Sequence, residues 1–370
     1  MKIAILGGYG NTGLKLARLL ATAGRADLVL LGRDEDRLRA AAEGVGREAR
    51  RQVTWQVADA ASGPSLRAAL EGANLLVVAS STTAHAATVA RTALEAGVDY
   101  LDTNLSIRTK HEALQALRPS VEDRGLCFIT DGGFHPGVPG AMIRYAGLRL
   151  PSLTTANVGG TFNLPWASLH FSADSQAEFV AELRDMDNSA FVDGAWLRSW
   201  KNLRSFDFGP SLGSRSCAPF FLKELAELPD RIPSLRETGF YIAGFGPVVD
   251  YLVMPACLLW LRLFPGRPLP AGKLMVGALR HLGASGSWAV LQLEGSDASG
   301  RTVSLRMAHE DPYELTAIPV AACVAQYADG PRRPGLWTQA AYVEPARFLR
   351  DVAFMGVQVE LRLDGEVSPP

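Results

Sequence analysis

The first twenty residues, Met1–Leu20, read MKIAILGGYGNTGLKLARLL and decide the fold of the N-terminal part of the chain. Ile3–Leu6 is a short unbroken apolar run, as a parallel strand buried on both faces requires. Four glycines follow, and after them leucine and alanine recur at helical spacing. The stretch therefore predicts a strand, a glycine-rich turn and a helix.

The glycines of this turn match the G-x-G-x-x-G pattern of dinucleotide-binding folds. A missing Cβ permits a tight turn at Gly8, a close pyrophosphate at Gly10, and close packing of helix on strand at Gly13. The N–H groups at the helix start attract phosphate. The alternative is a glycine-rich turn without a ligand, but the flanking strand and helix favour a dinucleotide site. The predicted cofactor contacts of the turn are Gly7, Gly8, Tyr9, Gly10, Asn11, Thr12 and Gly13.

Composition and length limit the classes of protein to consider. A chain of 370 residues exceeds the usual size of one hydrophobic core, so we expect two domains. The net charge of -1 argues against a nucleic-acid partner. The N-terminus has no secretory signal pattern, and the four cysteines stand far apart without a C-x-x-C motif. We therefore expect a cytoplasmic protein with free thiols and no metal site.

Predicted strands and helices alternate over the first 130 residues, which indicates an α/β fold with a doubly wound parallel sheet. Ligands of such sheets bind outside the carboxyl ends of the strands. All six predicted strand ends lead into loops of small and polar residues. The predicted strands after the first are 28–31, 53–57, 75–79, 98–101 and 126–130, with helices at 34–43, 84–96 and 110–123.

The end of the second strand predicts which nucleotide binds. An acidic residue here holds the ribose of NAD, whereas an arginine suits the 2′-phosphate of NADP. Arg33 follows this strand, and Arg37 lies one helical turn further on. Asp34 fits the N-cap of the next helix, although it would hold the ribose if Arg33 were only a solvated charge. We predict NADP, with NAD as the alternative.

The loops after the third and fourth strands add further candidate cofactor contacts. Asp59, which closes the third strand, either reaches the adenine or only forms a turn. The candidates from these two loops are Asp59, Ser80 and Ser81.

The pattern changes near residue 148 to strands that alternate as in an antiparallel sheet, which predicts an α+β domain. Aromatic residues are concentrated between 151 and 270. Most are expected in the core, and a pocket for a large apolar substrate is the alternative. The predicted strands are 153–162, 288–293, 302–307 and 357–363, and the predicted helices are 176–186, 220–227, 313–327 and 345–352, with a loop between the last two.

One run in this second region, Tyr251–Phe264, is apolar except for Arg262. It falls short of the roughly 20 residues needed to cross a bilayer. We expect a buried core helix or a subunit contact. Shallow contact with a membrane surface or an acyl-chain groove is the second interpretation, and a membrane span is not expected.

Three stretches together resemble the saccharopine dehydrogenase-like oxidoreductases: GGYGNTG at the start, Tyr100–Thr103 and the sequence DGGFHPGVPG after the sixth strand. The resemblance implies an NADP-type Rossmann domain with an inserted α+β substrate domain and a C-terminal segment that returns to the first domain. The implied boundaries are 1–147 for the Rossmann domain, 148–312 for the substrate and oligomerisation domain, 313–350 for the helical return and 351–370 for the last strand and tail.

The loop after the sixth strand departs from the saccharopine and carboxyspermidine enzymes, which usually carry a carboxylate where this chain has His135. The chain more closely resembles the branch that includes trans-acting enoyl reductases of lipid synthesis. That resemblance implies hydride transfer to a carbonyl, imine or enoyl group of an apolar or acyl small molecule, by a homodimer. The alternatives are an amino-acid or polyamine reductase and an NADP-binding sensor or scaffold without turnover.

His135 is the candidate hydrogen-bond donor at the reacting group. It lies at the carboxyl end of the sixth strand, just before a predicted helix with Pro139 near its first turn. The positive end of a helix dipole lowers the pKa of a nearby imidazole and keeps it neutral. A loop histidine bonded to backbone is the alternative. Asp102 and Asp131, at the ends of the fifth and sixth strands, are candidates to orient His135 or the nicotinamide ribose, and otherwise cap the strands.

Overall fold

The computed structural model describes residues 1–167, 169, 176, 179–180, 187–199, 202–284 and 286–369. The chain divides into two compact units. Unit 1 comprises Met1–Ala141 and Tyr313–Val357, and unit 2 comprises Met142–Pro312 and Gln358–Pro370. Each unit is therefore built from two separate stretches of sequence.

Unit 1 is organised around a parallel sheet of seven strands. Its strands are β1 Lys2–Leu6, β2 Asp27–Gly32, β3 Val53–Val57, β4 Leu75–Val78, β5 Asp99–Asp102, β6 Cys127–Thr130 and β15 Gly335–Thr338. The order across the sheet is β15-β6-β5-β4-β1-β2-β3. The chain therefore builds outward from β1 in both directions, and nucleotides bind such sheets at this point of reversal.

The helices of unit 1 cover both faces of this sheet. Alternate strand residues such as Leu6, Leu31 and Val78 face a buried layer that includes Leu66 and Val89 of two helices. The opposite alternate residues are equally buried, as doubly wound sheets require. The helices are α1 Asn11–Ala23, α2 Glu35–Gly46, α3 Gly63–Ala69, α4 Ala86–Ala96, α5 Arg108–Asp123, α10 Pro312–Asp329, α11 Gln339–Tyr342 and α12 Pro345–Phe354, with a 3-10 turn at Thr83–His85. A further helix, α6 Val138–Arg149, begins in unit 1 and belongs to unit 2 from Met142 onward.

The segment that returns to unit 1 contains a strand where the sequence predicted only a loop. Gly335–Thr338 pairs in parallel with β6, in the register Gly335 to Cys127. Four residues that follow a proline carry no alternation that would reveal a strand. The prediction of a loop is therefore wrong, because backbone pairing with a distant strand decides this structure.

Asp99, at the start of β5, ties this returning segment to the sheet. Its carboxylate is fully buried and accepts hydrogen bonds from the backbone N–H of Cys127 (2.8 Å), the hydroxyl of Tyr327 (2.6 Å) and Nε of Arg332 (2.9 Å). One side chain thereby joins two strands, the end of α10 and the stretch before β15.

The described residues of unit 2 form a mixed sheet of ten strands. They are β7 Leu153–Asn163, β8 Ser189–Val192, β9 Ala195–Arg198, β10 Arg204–Asp207, β11 Ser214–Pro219, β12 Glu237–Ala243, β13 Trp288–Asp297, β14 Thr302–His309, β16 Gln358–Leu363 and β17 Glu366–Ser368. The order is β10-β11-β12-β7-β13-β14-β16-β17, with β8 paired to β12 and β9. All of these pairs are antiparallel except β12 with β7.

The helices of unit 2 differ from the sequence predictions. The described helices are α7 Leu228–Arg231, α8 Met254–Leu263 and α9 Leu269–Leu282, with a 3-10 turn at Lys223–Leu225 and a π-helical turn at Val249–Val253. The helix predicted over 220–227 is therefore replaced by the 3-10 turn, and Pro229 starts α7 after it. The helix predicted over 176–186 lies largely outside the described residues.

The apolar run Tyr251–Phe264 is only partly buried. Of its large side chains, Leu261 is buried, whereas Tyr251, Leu252 and Leu263 are 77%, 67% and 62% exposed. One face of the run packs in a core, with Cys257 and Leu261 buried, but the expectation of a buried helix is wrong for the other face, because apolar composition does not reveal which faces of a helix are covered. The alternative of a subunit contact stays a prediction. Within the described residues, no helix is long and apolar enough to span a membrane.

We predict that Asp99→Ala lowers the free energy of unfolding by about 2 to 3 kcal/mol, because it leaves the buried N–H of Cys127 without an acceptor and removes the hydrogen bonds to Tyr327 and Arg332. Urea denaturation followed by circular dichroism measures this loss. Asp329→Ala is the matched control, since Asp329 pairs with Arg25 and Arg347 at the surface and such pairs contribute less than about 1 kcal/mol. Equal losses for the two variants would contradict the anchoring role of Asp99.

Candidate active site

The glycine-rich turn between β1 and α1 is packed too closely for side chains at several positions. A Cβ on Gly13 would lie 2.1 Å from the carbonyl oxygen of Gly7, and one on Gly8 would lie 2.8 Å from Cβ of Leu30. Gly7 itself has φ +85°, in the left-handed region that favours glycine. These positions require glycine on steric grounds alone.

The start of α1 fits a pyrophosphate. Gly10 is the N-cap, and within this fully described stretch no side chain caps the first turn and no acidic residue lies in it. Uncapped N–H groups at the positive end of a helix dipole bind phosphate. The turn supplies close access to the backbone and the helix supplies donors, which together suit the phosphates of a dinucleotide.

Two arginines and a tyrosine gather at the end of β2. The backbone N–H of Arg33 donates to the hydroxyl of Tyr9 (3.3 Å), and the guanidinium of Arg37 lies 4.3 Å from the centroid of the Tyr9 ring. The carboxylate of Asp34 accepts a hydrogen bond from the backbone N–H of Arg37 (3.1 Å) and caps α2. Asp34 is therefore used as a helix cap, while Arg33 and Arg37 are exposed.

The remaining predicted cofactor residues also lie at strand ends of unit 1. Ser80 follows β4 and lies against the glycine turn, since a Cβ on Gly7 would be 2.7 Å from its Cβ. Ser81 is exposed beside it. Asp59 accepts a hydrogen bond from the backbone N–H of Ala61 (3.0 Å) and closes the turn after β3. Ser80 therefore lies next to the glycine-rich turn. Asp59 forms a local hydrogen bond within its own turn.

The carboxyl ends of β5 and β6 enclose a buried lysine that the sequence analysis missed. Lys110 lies in the first turn of α5 and is 1% exposed. Its Nζ donates to Oδ1 of Asp102 (2.9 Å), Oδ1 of Asp131 (2.7 Å) and the backbone oxygen of Asn104 (2.8 Å). All three ammonium hydrogens are used. The sequence feature that could have indicated this cluster is a lysine in the first turn of a helix that follows a strand ending in aspartate.

Mutual attraction keeps this cluster charged. Burial alone would raise the pKa of Asp131 and lower the pKa of Lys110, because each charged group loses water. Attraction outweighs burial in both. Lys110 and His111 hold the pKa of Asp131 well below its usual range, and Asp102 and Asp131 raise the pKa of Lys110 above its usual value. One cation therefore lies between two carboxylates at neutral pH.

The second oxygens of both carboxylates are occupied as well. Oδ2 of Asp131 accepts a hydrogen bond from the hydroxyl of Ser106 (2.8 Å) and lies 3.1 Å from Nε2 of His111. Oδ2 of Asp102 accepts a hydrogen bond from the hydroxyl of Thr130 (2.6 Å). All four carboxylate oxygens of Asp102 and Asp131 therefore have polar contacts. These contacts join α5 to β5 and β6.

The loop that follows β6, residues 131–137, is held from two sides. Asp131, its first residue, is bound by Lys110. Gln339, fully buried in α11, accepts a hydrogen bond from the backbone N–H of Gly133 (3.2 Å) and donates to the carbonyl of Gly133 (3.3 Å). We call this segment the β6–α6 loop. Its conformation depends on a glutamine that lies 206 residues further along the chain.

His135 lies in the β6–α6 loop, three residues before α6 begins at Val138. Its ring is half-buried, with its centroid 4.3 Å from that of Phe134. Burial lowers the pKa of His135 to about 4, because the loss of water around the ring disfavours the charged imidazolium. The imidazole is therefore neutral at physiological pH, as the sequence analysis expected, but burial is the cause.

Comparison with known proteins agrees with this geometry. Residues 3–129 match the family model of the saccharopine dehydrogenase NADP-binding domain. No curated protein matches the chain. Apo saccharopine dehydrogenase (L-Glu forming) from Saccharomyces cerevisiae has a similar fold, with a TM-score of 0.69, 13% identity, and coverage of 98% of this chain and 99% of the yeast chain.

Two other structures show only weak likeness. A dehydrogenase from Chromobacterium violaceum aligns over 96% of this chain and 93% of its own, at 11% identity and a TM-score of 0.43. An alcohol dehydrogenase from the archaeon Thermococcus sibiricus aligns over 35% of this chain and 74% of its own, at 20% identity and a TM-score of 0.29. Likeness at this level supports no conclusion about the site.

The parallel sheet, the glycine cradle and the arginines after β2 define a Rossmann-type, NADP-binding oxidoreductase. Within that class, residues 3–129 match the NADP-binding domain of the saccharopine dehydrogenase family, and the whole chain has a fold similar to that of the yeast saccharopine dehydrogenase. The predictions of the family, the fold class and an NADP cofactor are therefore confirmed.

We predict that Arg33→Ala weakens NADPH binding about 10- to 100-fold and barely changes NADH binding, since a charge-assisted pair with the 2′-phosphate is lost. Isothermal titration calorimetry measures both. Arg39→Ala is the matched control, because Arg39 is an exposed arginine on α2, which follows Arg33, and it pairs with Glu35. Equal effects of Arg33→Ala on the two cofactors would contradict the assignment.

We predict that His135 adds a pH dependence to stability. The imidazole titrates near 6.5 in the unfolded chain and at about 4 in the folded one. Between these values the unfolded state binds more protons, so the free energy of unfolding falls as the pH drops from about 6.5 towards 4. His135→Phe removes this part of the fall, as urea denaturation at stepped pH would show. His85→Phe, at an exposed position, is the control, and identical pH profiles for wild type and His135→Phe would contradict the lowered pKa.

Proposed function

We propose that the protein uses NADPH to reduce a carbonyl, imine or enoyl group of an apolar or acyl substrate, with His135 as the hydrogen-bond donor to the acceptor. The observation that carries this proposal is the β6–α6 loop, which holds a neutral imidazole at the carboxyl end of a parallel strand. Ligands of parallel sheets bind at these ends.

The cofactor site of this proposal lies entirely in unit 1. The turn Gly7–Gly13 and the start of α1 would hold the pyrophosphate, and Arg33 with Arg37 would hold the 2′-phosphate. NADPH supplies the hydride when bound, while the protein supplies binding, orientation and electrostatics. Ser80, next to the turn, would contact the cofactor near its phosphates.

The role of His135 follows from its charge. A neutral imidazole donates one N–H hydrogen bond and stabilises the negative charge that develops on the acceptor oxygen or nitrogen. Lys110 and Asp131 act through the loop and are positioning residues, because their observed contacts are with each other and with neighbouring side chains. Asp102 completes the same cluster and has the same positioning role.

The loop chemistry also favours an apolar or acyl substrate. The ring of His135 lies 4.3 Å, centroid to centroid, from the ring of Phe134, which is buried and apolar, so the surroundings of His135 that the structure shows are uncharged. A neutral histidine gives no charge partner for the ammonium group of an amino acid, whereas a carboxylate at this place would. The pair suits a carbonyl or thioester group with an apolar neighbour.

The test follows NADPH absorbance with enoyl and keto thioesters, aldehydes, and an α-keto acid mixed with an amino acid. We expect turnover with an apolar acyl or carbonyl compound. His135→Ala should lower kcat by about 100-fold or more, since it removes the donor to the developing charge. Its NADPH affinity should stay unchanged, because the cofactor contacts lie elsewhere.

His85→Ala serves as the control, since His85 is an exposed histidine after β4. Turnover with the α-keto acid and amino acid alone would contradict the substrate class. NADPH binding without turnover across the whole panel would favour a sensor or scaffold and would contradict the proposed reaction.

A further inference from the structure

Unit 2 carries an unusual apolar surface on one helical hairpin. The hairpin comprises the π-helical turn, α8, the turn after it and α9, and we call it the 248–282 hairpin. Among the described residues, 15 large hydrophobic side chains are exposed, and eight of them lie in this hairpin. They are Val248, Tyr251, Leu252, Leu259, Leu263, Phe264, Leu274 and Leu282.

The hairpin also has an apolar inner face, which packs in the core of unit 2. Its exposed apolar residues are therefore additional to those that the core requires. Cys257 and Leu261 of α8 are fully buried and pack with Met275 and Leu279 of α9. A surface helix normally presents polar residues opposite such a face. Here the side opposite the core is apolar too.

The outer apolar residues follow a regular stripe. Val248, Leu252, Leu259 and Leu263 are separated by four, seven and four positions, which places them along one side of the helical segment. The stripe ends at Phe264, whose ring lies 4.6 Å from that of Trp260. Large apolar side chains therefore extend along about four helical turns and onto the turn after them.

Basic residues flank this stripe. Arg262, Arg267, Lys273 and Arg280 are exposed. Asp250 is the single acidic residue in the 248–282 sequence, and its carboxylate accepts hydrogen bonds from two backbone N–H groups of the preceding turn (2.9 and 3.1 Å). The hairpin is therefore positively charged, although the whole chain carries a net charge of -1.

We propose that the 248–282 hairpin docks on the surface of a membrane that contains anionic lipids. Exposed leucine and aromatic side chains enter the boundary between headgroups and acyl chains, and flanking lysine and arginine contact the anionic headgroups. Long basic side chains reach the headgroup level while their stems stay on apolar surface. Docking is peripheral and reversible, and it is independent of the proposed reaction.

Charge favours a membrane over a second copy of the chain as the partner. A two-fold interface would place the same surface against itself. Arg262, Arg267 and Lys273 would then face their own copies, without acidic partners from the hairpin. An anionic bilayer supplies the opposite charge and an apolar layer at once.

The experiment is flotation of the purified full-length protein with vesicles. Phosphatidylcholine vesicles with one third phosphatidylglycerol are compared with pure phosphatidylcholine vesicles. We expect wild type to float with the anionic vesicles, less so at high salt. The triple variant Arg262→Gln, Arg267→Gln and Lys273→Gln should bind about 100-fold more weakly, since each basic residue near an anionic surface contributes about fivefold.

A second variant tests the apolar stripe. Leu259→Ser, Leu263→Ser and Phe264→Ser together should abolish flotation while leaving the NADPH affinity unchanged, since the cofactor contacts lie in unit 1. Matched controls remove exposed residues outside the hairpin and should float like wild type. They are the triple variant Arg18→Gln, Arg47→Gln and Arg91→Gln, and the double variant Leu197→Ser and Leu203→Ser.

Three results would overturn the membrane assignment. The first is absence of wild-type flotation with anionic vesicles, and the second is equal flotation of the hairpin and control variants. The third is a wild-type dimer that the serine variant converts to a monomer, without any vesicle binding, which would make the stripe a subunit interface. NADPH turnover is not part of any readout, so failure here is distinct from failure of the proposed reaction.

Discussion

The buried ammonium of Lys110 is the interaction on which the candidate site of unit 1 depends. A charge removed from water is tolerated only when it is paired and fully hydrogen-bonded. Asp102, Asp131 and the carbonyl of Asn104 satisfy all three of its hydrogens. The ends of β5 and β6 and the start of α5 therefore have little freedom to move apart, because separation would leave a charge uncompensated inside the protein.

This pairing also limits which groups take part in proton chemistry. Asp131 is held in its charged form by Lys110 and His111, so it is not a proton donor near neutral pH. Lys110 is held as the cation for the same reason. His135, by contrast, is kept neutral by burial. The loop thus combines a charged residue, anchored by Lys110 at its start, with a neutral imidazole four residues later.

Local pattern accounts for what the sequence predicted well. The glycine spacing from Gly7 to Gly13 and the alternation of strands and helices are short-range signals, and β3 at Val53–Val57 has the predicted bounds. The contacts of Gln339 and the strand β15 were not predicted, because both depend on pairing with residues about 200 positions away. Lys110 was not predicted because its burial depends on two carboxylates, 8 and 21 residues away, that come together only when β5 and β6 pair. The exposed stripe of the 248–282 hairpin was not predicted, because hydropathy does not show which side of a helix is covered.

The returning segment of the chain is as much a part of the candidate site as the glycine turn. The family model matches 3–129, which ends before the β6–α6 loop. Asp99 at one end of β5 binds Tyr327 and Arg332, while the loop beyond β6 binds Gln339. Residues after 312 therefore make hydrogen bonds both at the start of β5 and in the loop that follows β6. The glycine-rich turn is formed by the first strands alone, whereas the β6–α6 loop that carries His135 lies beyond the matched domain and is held by Gln339 of the C-terminal segment.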